Sequence, residues 1–504
     1  MGRSDKVVLA VDAGSGGGRA LVIDLGGRLL SSSVRKWEYE TPADAGPMAK
    51  EFDPGEFWRI ICELVREAVA QAGVSPSDII AVSSASQREG VVFLDKDGQE
   101  LYAGPNVDLR ALIEGFAIDA ECGGDVYRIT GHGPSLLFTP ARLKWFQANR
   151  PEVYERIDTV LSISDWIVYR LSGERVGEAS CMSDSGLMDI HEVGWSAHLI
   201  DRLDLPAKVC PPVVTAGTRV GAVTDIAAKE CGLAAGTTVV AGGADSQCGL
   251  LGMGVGEPGE VGIVAGWSGV VQIVTAEPVI DPKGRLWSGC HVLPGRWVLE
   301  SNAHETGGAY SWLRDLLLSD VLDDQQAYLR MDAMAQDVPV GAEGVVGFIG
   351  PRLMDVSRLK PLVGGFVFPI TPSVASVEKK HLIRAGVENV CFAFKGNLGQ
   401  LEEVSGLQPS TVCVGGGLAQ SDLLVQALAD VLARPIVAFQ VRHVTSWGTA
   451  MCAAVGGGAY SDLPQAMSAM RPESKHVAPD PERAGAYDAC FEKWLEVAGA
   501  LDQL

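Results

Sequence analysis

No apolar run in the 504 residues approaches the ~20 needed for a membrane-spanning helix. The opening Met1-Gly2-Arg3-Ser4-Asp5-Lys6 has no long apolar core of a secretory signal and leads straight toward a strand. None of the eleven cysteines, scattered from Cys62 to Cys490, forms a CxxC pair. An odd count at irregular spacing argues against a disulfide framework or a zinc site and for free thiols in a reducing cytoplasm. Positive charge is also scarce, with 41 Lys and Arg against 63 Asp and Glu and a net charge of -22. Nucleic-acid binding needs a concentrated basic surface, so the charge argues against that partner class, and no membrane partner is expected either. It does not argue against ATP, because one arginine and a metal ion suffice for a triphosphate. Aromatic residues are only 7% of the chain, yet 47% hydrophobic content supports the cores of a folded protein of roughly two to four domains.

What is present is most informative near the start. The apolar run Val7-Val8-Leu9-Ala10-Val11 enters Asp12-Ala13-Gly14-Ser15-Gly16-Gly17-Gly18-Arg19, and Ala20-Leu21-Val22-Ile23 leaves it. A strand, a glycine turn and a returning strand place backbone N–H groups where an anion can approach closely. Ser15 adds a hydroxyl and Arg19 a fixed charge. Asp12 is repulsive to a phosphate unless a divalent cation lies between them, so the segment suggests Mg²⁺–nucleotide binding. Alone it fits equally an ordinary glycine-rich hairpin with one solvated carboxylate.

Along the rest of the chain, residues 57–72 carry apolar side chains at helical spacing and stop at Gly73. Residues 78–83 read as a buried strand feeding Gln87-Arg88-Glu89-Gly90, and 91–94 as another strand. Residues 140–149 and 151–171 read as helical. Residues 237–244 form a strand ending in glycines and Asp245. Glycines crowd residues 248–262, which places the domain boundary there and divides the chain into 1–250 and 251–504. Gly252-x-Gly254 follows a helix-like stretch and is rejected as a dinucleotide motif. A second strand–turn–strand, 260–264 and 270–275 around Ala265-Gly266-Trp267-Ser268-Gly269, suggests an internal duplication gripping one ligand. Residues 411–414 run into Gly415-Gly416-Gly417 and an amphipathic helix, 421–432. Residues 351–376, punctuated by Pro and Gly, resist assignment.

In this order the motifs resemble those of the FGGY carbohydrate kinases, over roughly residues 7–458. The resemblance implies an α/β fold: two actin/ribonuclease H-like domains with a nucleotide and substrate cleft between them. It implies a first phosphate motif with Gly14, Ser15, Gly16 and Arg19, and Asp245 as general base. It implies a second phosphate turn at Gly266 and Ser268, with Gly307 approaching the nucleotide. Gly416, Gly417 and Ser421, with Gln426 and Asp430, are similar to the adenosine motif. Asp12 and Asp245 would organise the Mg²⁺ that accompanies ATP. Phosphoryl transfer needs an in-line hydroxyl, a base for its proton and neutralised phosphate charge, and these residue types supply all three.

Gln87, Arg88 and Glu89 resemble the polyol-holding segment of glycerol kinases, since an Arg–Glu pair donates to and accepts from vicinal hydroxyls. Asp108, in Asn106-Val107-Asp108-Leu109-Arg110, is expected to accept from a further hydroxyl, with Arg110 structural. Within the family the chain most resembles the autoinducer-2 kinases, which implies a dihydroxypentanedione-derived open-chain substrate. A pentulose or polyol kinase, or a catalytically weak regulatory protein, are the alternatives. Two departures stand out. Trp267 occupies a place where the family has Thr, and the aromatic of glycerol kinases is replaced around Leu137-Phe138. His304 is expected to be a satisfied loop histidine, and Trp312 and Leu313 to be core. The sequence leaves a homodimer open.

Overall fold

The computed structural model describes residues 6–358, 363–370 and 376–503. Met1–Asp5, read above as lacking a signal, lie outside the described residues, as do 359–362 and 371–375 within the unassigned segment. The chain forms two compact units. The first runs to Gly256 and adds Thr275–Val298 and Val444–Pro472; the second holds Glu257–Val274, Leu299–His443 and the chain from Glu473 onward.

In the first unit, β1 (Val7–Gly14) and β2 (Gly17–Asp24) pair antiparallel down to Gly14 opposite Gly17. β2 continues antiparallel to β3 (Leu29–Lys36). β4 (Ile79–Ser86) lies parallel to β1. Outside this sheet, β5 (Val91–Asp95) pairs with β6 (Glu100–Gly104) and β7 (Ile157–Ser162). β8 (Arg219–Ala222) and β9 (Thr238–Ala244) complete the main sheet in the order β8-β9-β4-β1-β2-β3. β1, β4 and β9 are mutually parallel neighbours and buried almost throughout, as strands covered on both faces must be.

The helix Pro54–Ala72 begins where Asp53 accepts from the Glu56 N–H and ends at Gly73 in the left-handed conformation. Its apolar face, Phe57, Trp58, Ile61, Leu64 and Val65, joins the core under the sheet. Ser31 and Ser33 of β3 donate to its Ala68 and Leu64 carbonyls, tying helix to sheet. The helix Val444–Gly456, buried from Val444 to Ala454, packs on β1, β4, β9 and the helix Asp245–Met253. A Cβ on Gly448 would stand 1.9 Å from the Cys248 carbonyl oxygen, and one on Gly252 2.1 Å from that of Val444. The two helices therefore cross backbone to backbone, which only glycine permits.

The second unit uses the same strand order. β10 (Val261–Ala265) and β11 (Ser268–Thr275) form the hairpin, flanked by β12 (Trp297–Glu305) on one side. On the other side β13 (Val412–Gly415) and β14 (Ile436–Phe439) run parallel to β10, and β15 (Ser474–Val477) closes the edge antiparallel. Hairpin, two parallel neighbours and an antiparallel edge recur in both units, so the duplication suggested by the two glycine turns extends beyond the hairpins.

Three expectations are corrected. Residues 151–171 are not one helical stretch: after a single turn, 157–162 form β7, because Thr159, Val160 and Leu161 find partners on β5. Trp312 is not core but 51% exposed, while its neighbour Leu313 is fully buried. His304 lies in β12 rather than in a loop, with a left-handed φ of 60°.

Candidate active site

Ala13, Ser86 and Ala244 are register partners across β1, β4 and β9. The three chains therefore leave the sheet at one level, at adjacent carboxyl ends. Neighbouring strands lie about 4.8 Å apart, so the Gly14 turn, Gln87–Glu89 and Asp245 start within about 10 Å of one another. In open α/β sheets the carboxyl ends of the parallel strands are where ligands bind.

Asp12 and Arg19 face each other across the hairpin, with Arg19 Nη1 3.3 Å from Asp12 Oδ2. The Ser446 hydroxyl donates to the same oxygen at 3.3 Å. Burial raises the pKa of Asp12, and Arg19 and Ser446 oppose that rise. At the turn, Ser15 exchanges hydrogen bonds with the Asn106 side chain at about 3 Å, and Gly16 is exposed. Asp245 is the first residue of its helix, its Oδ1 accepting from the Ser246 N–H at 2.7 Å. Thr445 donates to the Asp245 carbonyl at 3.0 Å. Adjacent residues of one helix, Thr445 and Ser446, thus hold both aspartates.

Arg88 is nearly buried. Its Nε lies 3.9 Å from Glu89 and 4.0 Å from Asp184, and its guanidinium sits 5.5 Å from the Trp287 ring. Asp184 is held by His132 Nε2 at 2.7 Å, and His132 Nδ1 meets the Thr130 carbonyl at 2.7 Å. Burial disfavours the imidazolium, but Asp184 and that carbonyl outweigh it, and the pKa of His132 is raised. Arg88, Glu89, Asp184, Thr139, Ser162 and Cys181 are among the residues lining a cavity of about 20 Å³, room for one water. Phe138 is buried against His132 and Trp287.

Two of the expected substrate residues are committed elsewhere. Gln87 donates to the Tyr39 hydroxyl at 2.8 Å and accepts from the Asn106 N–H at 3.0 Å, which ties its loop to both. Asp108 is fully buried and accepts four hydrogen bonds, from the Lys50 and Arg110 N–H groups at 2.8 and 3.3 Å, from Arg110 Nε at 2.7 Å and from the Tyr102 hydroxyl. A carboxylate so saturated has no lone pair for a hydroxyl, and the expectation for Asp108 is corrected to a structural one. Arg110, reaching Glu51 at 2.6 Å, shares that role, as expected. Asp184, His132 and Trp287 were missed. They come from three distant segments in which no motif was read.

In the second unit, Gly266, Trp267 and Gly307 meet. The Trp267 carbonyl accepts from the N–H groups of Thr306 and Gly308 at 3.1 and 3.2 Å, at the start of the helix Gly307–Leu317. A Cβ on Gly307 would lie 2.2 Å from the Gly266 oxygen, and one on Gly308 2.9 Å from the Trp267 indole. Trp267 is 60% exposed. A Cβ on Gly416 would lie 2.5 Å from the Ala265 carbonyl oxygen, while Gly417 has open space around it. Ser268 starts β11. Ser421 caps the helix Asp422–Leu432 through the Leu424 N–H and donates to Asp332 at 2.8 Å, so its one proton is already committed. Gln426 and Asp430 bond to each other at 2.8 Å.

Residues 7–252 match the model of the FGGY family of carbohydrate kinases, N-terminal domain, and residues 261–457 its C-terminal domain. An autoinducer-2 kinase of Escherichia coli (strain K12 / DH10B) is 33% identical over 508 residues, covering 99% of this chain and 95% of that protein. Xylulose kinase from Rhodospirillum rubrum superimposes with a TM-score of 0.83 at 27% identity, covering 99% of both chains. Plasmodium falciparum glycerol kinase with ADP shares the fold, with a TM-score of 0.82 at 19% identity over 98% of each chain.

Proposed function

Because this chain belongs to the FGGY family of carbohydrate kinases, we propose that it phosphorylates a small open-chain sugar-like molecule of the autoinducer-2, dihydroxypentanedione-derived type. That it is an ATP-dependent carbohydrate kinase follows from the family; the identity of the acceptor is the proposal. One observation carries the assignment of roles: Ala13, Ser86 and Ala244 are level, so the phosphate hairpin, the Arg88–Glu89 pair and Asp245 emerge side by side.

In this reading Arg88 and Glu89 hold neighbouring acceptor oxygens, and Asp245 accepts the hydroxyl proton as the O–P bond forms. The turn Gly14-Ser15-Gly16 and Arg19 receive phosphate oxygens. Gly266, Ser268, Gly307, Gly416 and Gly417 carry the nucleotide side, and residues 1–250 and 251–504 are the sugar and adenosine halves. No group of three or more His, Cys, Asp or Glu side chains that could hold a metal lies among the described residues. That suits Mg²⁺, which keeps waters and takes phosphate oxygens with only one or two carboxylates; Asp12 and Asp245 would hold it. When bound, it supplies charge neutralisation on the phosphates. Eleven free cysteines support a cytoplasmic setting, and no described helix is long and apolar enough to cross a membrane.

An ADP-coupled panel of the five-carbon signal, xylulose and glycerol tests the reading. Highest kcat/KM is expected on the signal. Xylulose turnover without it would favour the pentulose alternative, which the 27% identity to a xylulose kinase supports.

A further inference from the structure

Asp245 sits at a helix start that the local sequence does not secure. The N-cap of Asp245–Met253 is Ala244, which has no side-chain cap hydrogen bond, and alanine is among the poorest residues there. The strand leading to it is irregular as well, its pairing with β4 slipping between Val240 and Gly243. What holds this junction comes from elsewhere in the chain. The Ala244 N–H donates to the hydroxyl of Ser180 at 3.0 Å, and the Asp245 carbonyl accepts from the Thr445 hydroxyl at 3.0 Å.

The Ser180 contact has a fixed direction. A hydroxyl carries one proton, and that of Ser180 goes to Glu178 Oε2 at 2.5 Å, so its lone pairs face Ala244. Glu178 cannot turn away, because the same oxygen also accepts from the Ser180 and Cys181 N–H groups at 2.9 and 3.1 Å in a fully buried site. Behind it, the Glu178 N–H donates to Asp165 Oδ1 at 3.0 Å, and Asp165 Oδ2 accepts from the Ser162 hydroxyl at 2.6 Å. The approach itself requires a glycine, since a Cβ on Gly243 would lie 2.9 Å from Ser180 Oγ.

We propose that Ser180, backed by Glu178, and Thr445 are positioning residues that fix the backbone on both sides of Asp245 and so aim its carboxylate at the acceptor hydroxyl. The inference rests on Asp245 being the general base. A misplacement of about 1 Å at a reacting group costs up to about a hundredfold in rate, so small tethers have large leverage on kcat and little on ground-state binding.

Ser180→Ala and Thr445→Val each remove one hydroxyl. Each is expected to lower kcat by about tenfold or more while the KM values for ATP and for the best acceptor stay within about twofold. A structural defect could lower kcat too, so the deciding measurement is a double-mutant cycle with Asp245→Asn, read as residual phosphoryl transfer at stoichiometric enzyme. If the tethers act through the carboxylate, neither variant lowers the Asp245→Asn rate further. Equal losses in both backgrounds, an unchanged kcat, or loss of folded protein in both single variants would overturn the proposal. Wild-type turnover by Asp245→Asn alone would instead overturn the base assignment.

Discussion

Trp267 stands where the resemblance to the FGGY kinases leads one to expect a threonine. Its indole rests on Gly308 and its carbonyl receives the first N–H groups of the helix that follows, so the turn is built around backbone rather than around a hydroxyl. Trp267→Thr keeps the carbonyl and adds a donor for phosphate. Its ATP KM is expected to fall by about three- to tenfold, the worth of one ordinary hydrogen bond, with the acceptor KM unchanged; equal ATP KM values would show that the turn contacts phosphate through backbone alone. A second residue-scale effect concerns pH. Burial lifts Asp165 to about 8 and Glu178 to about 7, and the charge of Glu178 adds to the rise at Asp165. In the unfolded chain both titrate near ~4. Above that pH and up to about 7 to 8, the native state keeps protons that the unfolded state has released, so stability falls as pH rises through the window. Asp165→Asn is expected to flatten the decline of Tm between about pH 5 and 8, whatever its effect on the absolute value. An unchanged slope would assign the titration to other groups.

At the scale of elements, the crossing of Asp245–Met253 with Val444–Gly456 is the joint on which the site depends. Alanine normally favours a helix over glycine by about 1 kcal/mol, yet a Cβ on Gly448 meets a backbone oxygen at 1.9 Å, which cannot step aside as a side chain would. Overpacking of this kind costs roughly 1–3 kcal/mol and outweighs the propensity gain. Gly448→Ala is therefore expected to lower the denaturation midpoint and, by moving Thr445 and Ser446, to lower kcat as well. Gly485, in the helix Pro481–Leu501, has nothing within 4 Å of its would-be Cβ, and Gly485→Ala should stabilise by up to about 1 kcal/mol. Urea titrations of both variants check the pair. The two hairpins were legible in the sequence because glycine turns between apolar runs are local signals. The helix at Pro54–Ala72 was legible for the same reason, with its periodicity and its Gly73 stop. β7 was not, since 157–162 became a strand through pairing with β5 rather than through its own pattern. Trp312 misled because an apolar residue beside a buried Leu313 looks like core, and only the helix's orientation turns it outward. Within the site, motifs named the strand ends, but no spacing could reveal that Ala13, Ser86 and Ala244 lie level. Nor could it show that Asp108, which looked free to bind, is saturated by Lys50, Tyr102 and Arg110.

The main-sheet pattern is duplicated, but the compact units do not follow the order of the chain. The family matches run as two consecutive stretches, 7–252 and 261–457, whereas the first compact unit draws in Val444–Pro472 from near the carboxyl terminus. That late segment is no ornament to the first sheet. Every residue from Val444 to Ala454 is buried, and burying Val444, Trp447, Met451 and Cys452 contributes roughly 5–10 kcal/mol. The net stability of a folded protein is about 5–15 kcal/mol, so removing the segment takes away an amount comparable to the whole margin. It also uncovers the apolar faces of β1, β4 and β9 and takes Ser446 from Asp12 and Thr445 from Asp245. A fragment of residues 1–256, although it spans one complete family match, is therefore expected to lack a cooperative thermal transition, to bind a hydrophobic dye and to be cut rapidly by protease. Joining residues 444–472 to it through a flexible linker should slow proteolysis and reduce dye binding. Equally slow proteolysis of the two fragments would mean that the first sheet closes its core without the late helix, and that this helix serves the aspartates alone.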